Sequence, residues 1–198
     1  MPRRGWPLAA ATVALLALLP LADGLLLDGL GIVGYTVCHQ LPERSLSVDG
    51  RPLPLCARCT GIYLGFVVGL LGLALLGKTR ASRLPPGGVT LLLLLLSLVA
   101  MALDGLGSLL QPLPEPLGAY QPSNLQRLIT GTAAGTALAL LLVPLFNDAL
   151  WAGRDPSESV ADLGELLGYV VLAGMAVVVA ASDAPALLYP VALLSTLG

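Results

Sequence analysis

Cys38, Cys56 and Cys59 are the only cysteines of the chain and His39 its only histidine, and one short segment holds all four together with Glu43, Arg44, Arg51 and Arg58. Cys56-Ala-Arg-Cys59 is a C-x-x-C pair, and Cys38-His39 lies across a loop containing Pro and Gly. Three thiolates and an imidazole can supply the four tetrahedral ligands of a closed zinc site, of which C-x-x-C is a familiar half. Three thiolates on a divalent cation leave one net negative charge, which Arg44, Arg51 and Arg58 can offset. Adjacent Cys38 and His39 chelate one ion together only where the backbone turns sharply. If His39 is instead a nearby acid/base, the fourth position is open, as in a catalytic zinc that activates water or polarises a carbonyl or phosphoryl oxygen.

The same thiols support a second chemistry. A C-x-x-C at a helix N-terminus beside Arg58 favours thiolate, and Cys38 can act as resolving partner. This reading is a thiol-disulfide oxidoreductase, similar in outline to membrane enzymes that couple such a pair to quinone; it needs no metal. A third reading makes the cluster a disulfide or metal staple in a transporter or binding subunit.

Two further groups lie away from the cysteines. Asp104 interrupts an apolar run, which makes it a functional candidate by default, and it shares a helical face with Ser97, Met101 and Ser108. Ser123 and Asn124 are good N-cap residues with Arg127 in the following turn, so free backbone N–H groups and a guanidinium together form a natural anion site. That anion is a phosphate, a carboxylate or Asp104 itself. The expected roles are metal ligation by Cys38, His39, Cys56 and Cys59, acid/base work by Asp104, Glu43 or His39, and anion binding by Arg127, Asn124, Arg44 and Arg58.

The elements that position these residues follow from composition. With 56% hydrophobic residues, 11% charged residues and a mean hydropathy of +0.87, the chain is a polytopic membrane protein. A net charge of −2 without any Lys/Arg-rich run excludes nucleic acid as a partner. Apolar stretches of about 20 residues, enough to cross a bilayer as helix, predict an all-α fold of five to six transmembrane helices in one domain. They run over residues 6–27, 60–76, 88–110, 125–146 and 164–182, with a short sixth at 184–197 containing Pro190. The Cys/His loop then joins the first two spans. Leu25 to Val37 is expected to be a separate interfacial element, and Asn147 to Glu165 a solvated connection with a short amphipathic turn.

Lys and Arg set the orientation. With the N-terminus in the cytoplasm on a retained first span, Arg3, Arg4, Lys78, Arg80, Arg83 and Arg154 lie inside, while Arg44, Arg51, Arg58 and Arg127 lie outside, within the chemical segments. The Cys/His loop, Asp104 and the start of span four then collect at the outer face of a prokaryotic plasma (inner) membrane. Partners are membrane lipids and a lipid or small anionic substrate. Gly61, Gly65 and Gly69 in span two and Gly131 and Gly135 in span four have spacings that let helix backbones approach closely, so these two spans are expected to touch. No Gly-rich phosphate loop, HExxH helix or G-x-S-x-G elbow is present.

CHQLPERS, PLCARCTGIYLG, LDG and SNLQRLITG, in that order, resemble the prokaryotic membrane proteins grouped as domain of unknown function 2085. The resemblance spans Cys38 to Gly135. It marks Cys38, His39, Glu43, Arg44, Cys56, Arg58, Cys59, Gly61, Asp104, Asn124, Arg127 and Gly131 as hallmark positions, and implies a small helical membrane protein without an assigned reaction.

Overall fold

Lipid offers no partner for backbone N–H and C=O groups, so the long apolar runs must satisfy their own hydrogen bonds as helices. The computed structural model describes residues 25–48, 50–86, 88–114, 120–150, 155–182 and 191–193. A first helix, α1, covers Leu25–Tyr35. Four further helices among the described residues are long and apolar enough to cross a membrane: α2 (Ala57–Leu75), α3 (Val89–Leu110), α4 (Asn124–Leu150) and α5 (Leu163–Ala181). They match the expected second to fifth spans to within a few residues. The first expected span, 6–27, and the short sixth, 184–197, lie outside the described residues except at Leu25–Leu27 and Val191–Leu193. Val191 and Ala192 are buried with Leu30, Leu53, Leu64 and Leu128.

The fold is mostly helical rather than purely so. Two short strands, β1 (Ser45–Val48) and β2 (Arg51–Cys56), form an antiparallel hairpin whose turn contains Gly50 at φ +73°. Beyond the far ends of the spans, β3 (Ala81–Arg83) pairs in parallel with β4 (Asp155–Glu158). Of the expected Asn147 to Glu165 connection, Asn147 to Leu150 continue α4 and Asp155 to Glu158 form β4; Asp155, Pro156, Ala161 and Asp162 are exposed, while Ser159 and Val160 are buried. Asn147 ends its reach in hydrogen bonds to the carbonyls of Thr79 (2.9 Å) and Ala81 (2.8 Å), and buried Ser159 donates to Leu140 O at 2.7 Å. The physical reason is tertiary: α4 runs on through Pro144 to Leu150, carrying Asn147 to the unpaired carbonyls that follow α2. At α5, Asp162 Oδ1 accepts from Glu165 N (2.8 Å) and Glu165 Oε2 from Ala161 N (2.8 Å), a reciprocal N-terminal cap, while Lys78 pairs with Glu165.

The main packing contact is between α2 and α4, as the glycine spacing implied. A Cβ added at Gly65 would collide with the Thr132 carbonyl, at Gly131 with that of Arg58, and at Gly135 with that of Ile62. These helices therefore touch backbone to backbone, and Thr136 Oγ1 donates across to Gly65 O at 3.0 Å. In lipid, where apolar side chains gain little by leaving their solvent, such close approach is what holds helices together. Tyr169 of α5 packs its ring on Gly72 of α2. The result fixes the N-terminal end of α2, with Cys56 and Cys59, beside that of α4, with Arg127.

Candidate metal and anion site

α1 and the hairpin carry Cys38 to the C-x-x-C pair. Chain reversal after α1 is managed by Gln40, whose φ of +50° is unusual for a residue with a Cβ. Its side-chain amide donates to Gly31 O (2.7 Å) on α1 and Pro54 O (2.6 Å) on β2, clipping the two elements together. Gly34 leaves the space for this clip, since a Cβ there would meet both Gln40 Nε2 and Pro54 O at 2.7 Å. Backbone N–H groups of Cys56 (3.3 Å) and Gln40 (3.5 Å) point at Cys38 Sγ. The sulfurs of Cys38, Cys56 and Cys59 all fall within 4.8 Å of one another.

Cys38 is buried and the other two are half-buried. Thiol donation from Cys56, then from Cys59, and the two backbone N–H groups hold the Cys38 thiol far below its ordinary range. Cys56, as donor to Cys38 and in a partly desolvated position, is pushed up. Thiol and backbone N–H donors thus converge on the Cys38 sulfur.

Asp104, only 3% exposed, is held by Arg58 rather than by Arg127. Arg58 Nε donates to Asp104 Oδ2 at 2.8 Å, while Nη2 reaches the same oxygen, the Asp104 carbonyl (3.1 Å) and Ser108 Oγ (2.9 Å). Tyr120 Oη donates to the other carboxylate oxygen at 3.1 Å and accepts from Gln126 Nε2 at 2.9 Å. Arg127 is 6% exposed; its Nη1 donates to Asn124 Oδ1 at 2.9 Å, and its buried Nε has no partner. Ser123 Oγ caps α4 by accepting from Gln126 N at 3.1 Å. Asn124 instead ties α4 to the Cys loop through the carbonyls of Glu43 (3.2 Å) and Ser45 (3.1 Å). Arg44 donates to Gln111 Oε1 at 2.9 Å.

A cavity of about 430 Å³ opens among these groups, lined by the three cysteines, His39, Arg44, Arg58 and Arg127. His39 is exposed and stands outside the close-packed sulfur group. Glu43 is exposed on the one-turn helix Pro42–Arg44, and neither it nor Asn124 lines the cavity. Gln40 and Tyr120 are the contributors that residue type alone did not mark: the first acts through a backbone angle, and the second has the look of an interfacial aromatic.

Residues 38–141 match the family described as Predicted membrane protein (DUF2085). The chain belongs to the DUF2085 family. An uncharacterized protein of Methanocaldococcus jannaschii is 31% identical over 115 residues, covering 58% of this chain and 67% of that one. An uncharacterized protein of Methanothermobacter thermautotrophicus is 37% identical over 106 residues, covering 53% and 83%. No solved structure matches the chain.

The matched region of this DUF2085 protein contains every residue of the sulfur cluster, the Arg58–Asp104 pair and Arg127. Chemically the cavity combines soft donors that can hold a metal ion with guanidinium donors that can hold an anion, and among the described residues no carboxylate lines it.

Proposed function

We propose that this DUF2085 protein is a metal-dependent membrane enzyme in which Cys38, Cys56 and Cys59 hold one divalent ion, zinc by donor chemistry. The observation that carries the reading is the mutual approach of the three sulfurs within 4.8 Å. Tetrahedral ligands at about 2.3 Å from zinc stand about 3.8 Å apart, so small side-chain adjustments suffice to close the site. Two backbone N–H groups aimed at Cys38 Sγ are the kind of outer contacts that fix a thiolate ligand. The three cysteines line the cavity, so an ion held by them would be able to polarise a substrate oxygen or activate water there.

His39, exposed beside Cys38, is the group free to move a proton. Asp104 acts through Arg58, which it orients. Glu43, on the exposed rim, is available to a substrate approaching from the membrane surface. The substrate is a lipid or small anionic molecule, and the distribution of Lys and Arg favours a site at the outer face of the plasma membrane.

Elemental analysis of purified protein, paired with a thiol count under denaturing conditions with and without reductant, tests this directly. About one zinc per chain with all three thiols titrating is the expected result. A metal-free chain with a single free thiol would sink the reading and move the cluster to quinone-linked thiol chemistry or a staple.

A further inference from the structure

The metal reading leaves one buried group unexplained. Arg127 is 94% buried, its Nε has no partner, and its side chain borders the cavity at the N-terminus of a 27-residue helix. An unsatisfied charged donor in such a place is costly. Arg44 from the Cys loop and Arg58 from α2 line the same space, so three arginines from three separate elements border it. Among the described residues no carboxylate lines this space, and Asp104, which lies against Arg58, is already engaged by Arg58 and Tyr120. Three arginines against one aspartate and one singly negative metal trithiolate leave an excess of positive charge.

We infer that the cavity binds a phosphoryl group, with Arg127 as its principal anchor and Arg44 and Arg58 completing the cradle. It rests on the reading of this cavity as the substrate site and names the chemistry of its ligand. A carboxylate presents two oxygens in one plane, which suits a single guanidinium fork. A tetrahedral phosphoryl group has three oxygens pointing in different directions, and so suits donors converging from α2, α4 and the loop. The helix end adds a favourable dipole. The phosphoryl group belongs either to a lipid headgroup or to a free phosphate ester.

The test is thermal unfolding of the full chain in dodecyl maltoside, titrated in parallel with inorganic phosphate, dodecyl phosphate and dodecanoate, with zinc content measured on each sample. Saturable stabilisation by at least one phosphate probe, with dodecanoate at least tenfold weaker, is expected. Dodecyl phosphate binding more than tenfold tighter than inorganic phosphate assigns a lipid headgroup, and similar affinities assign a free ester; both support the inference. Arg127→Gln should weaken phosphate binding about tenfold or more with zinc content unchanged, and Arg80→Gln, exposed at the opposite end, should leave it unaltered. Should Arg127→Gln fail to fold, Arg44→Gln takes its place with the same expectation. Cys56→Ser should lose zinc and still bind phosphate. No stabilisation by either phosphate, equal stabilisation by dodecanoate, or unchanged binding in both arginine variants overturns the inference. Wild type that binds phosphate without zinc would refute only the metal, and wild type that holds zinc without binding phosphate would refute only the phosphoryl site.

Discussion

Arg58, between the two cysteines of the C-x-x-C pair, donates from Nε to Asp104 Oδ2 at 2.8 Å and locks the start of α2 to the C-terminal part of α3. Asp104 is 2% exposed at its side chain and Arg58 19%, so the pair is largely withdrawn from solvent. Removing one partner strands the other charge, at a cost of about 3 kcal/mol. Asp104→Asn is therefore expected to lower the unfolding temperature markedly while zinc is retained. A double-mutant cycle with Arg58→Gln should show strong coupling; additive losses would mean that the two residues do not depend on one another.

Gln40 makes a different kind of prediction, because it touches the sulfur cluster only through its backbone N–H and through the elements that it clips. Gln40→Ala removes both amide bonds and keeps a Cβ at φ +50°; Gln40→Gly removes them but relieves the backbone. Both should weaken zinc binding by about 10- to 100-fold, as loss of an outer-shell contact does. The glycine variant should be the more stable of the two in thermal unfolding. Wild-type zinc affinity in both would show that the clip has no bearing on the cluster.

How much of this was legible in the sequence depends on what enforces each feature. The four spans were readable because lipid leaves an apolar chain no alternative to helix, and the α2–α4 contact because only glycine permits backbones to meet at Gly61, Gly65, Gly131 and Gly135. The partner of Asp104 was not readable. Arg58 and Arg127 both lie in the first turns of helices whose N-terminal ends pack side by side, and the choice between them rests on helix rotation, which the α2–α4 contact sets. The β3–β4 ladder was equally hidden: Ala-Ser-Arg and Asp-Pro-Ser-Glu carry no strand pattern and pair only because the helices deliver them to one another. His39 was a candidate ligand as the imidazole that completes a four-donor set with three thiolates; it is exposed while Cys38 is buried, and it stands outside the group of three sulfurs.

The glycine contact itself can be tested on lipid-embedded protein. Gly135→Ala would drive a methyl group into the Ile62 carbonyl, a clash with backbone that no side-chain rotation relieves. A loss of about 2 kcal/mol is expected, near the middle of the range for overpacking. Gly105→Ala and Gly174→Ala, where nothing lies within 4 Å, should be neutral or slightly stabilising in the same unfolding assay. If all three variants behave alike, α2 and α4 do not meet as described.

Proton release on metal binding joins the electrostatics of the cluster to its proposed use. Hydrogen bonds from its neighbours hold Cys38 far below the ordinary thiol range and so favour its thiolate, while Cys56, pushed up as donor to Cys38, favours the protonated form. Zinc must displace that proton to take Cys56 as a ligand. Raising the pH removes competing protons in advance, so affinity should increase with pH through neutrality, and near neutral pH zinc binding should release about two protons per ion, one from each thiol that donates to Cys38. Calorimetry in two buffers of different ionisation enthalpy measures the released protons directly. Cys56→Ser should abolish the release together with tight binding. Zinc that binds without releasing protons, with an affinity flat in pH, would mean that the ion is held by groups other than these thiols.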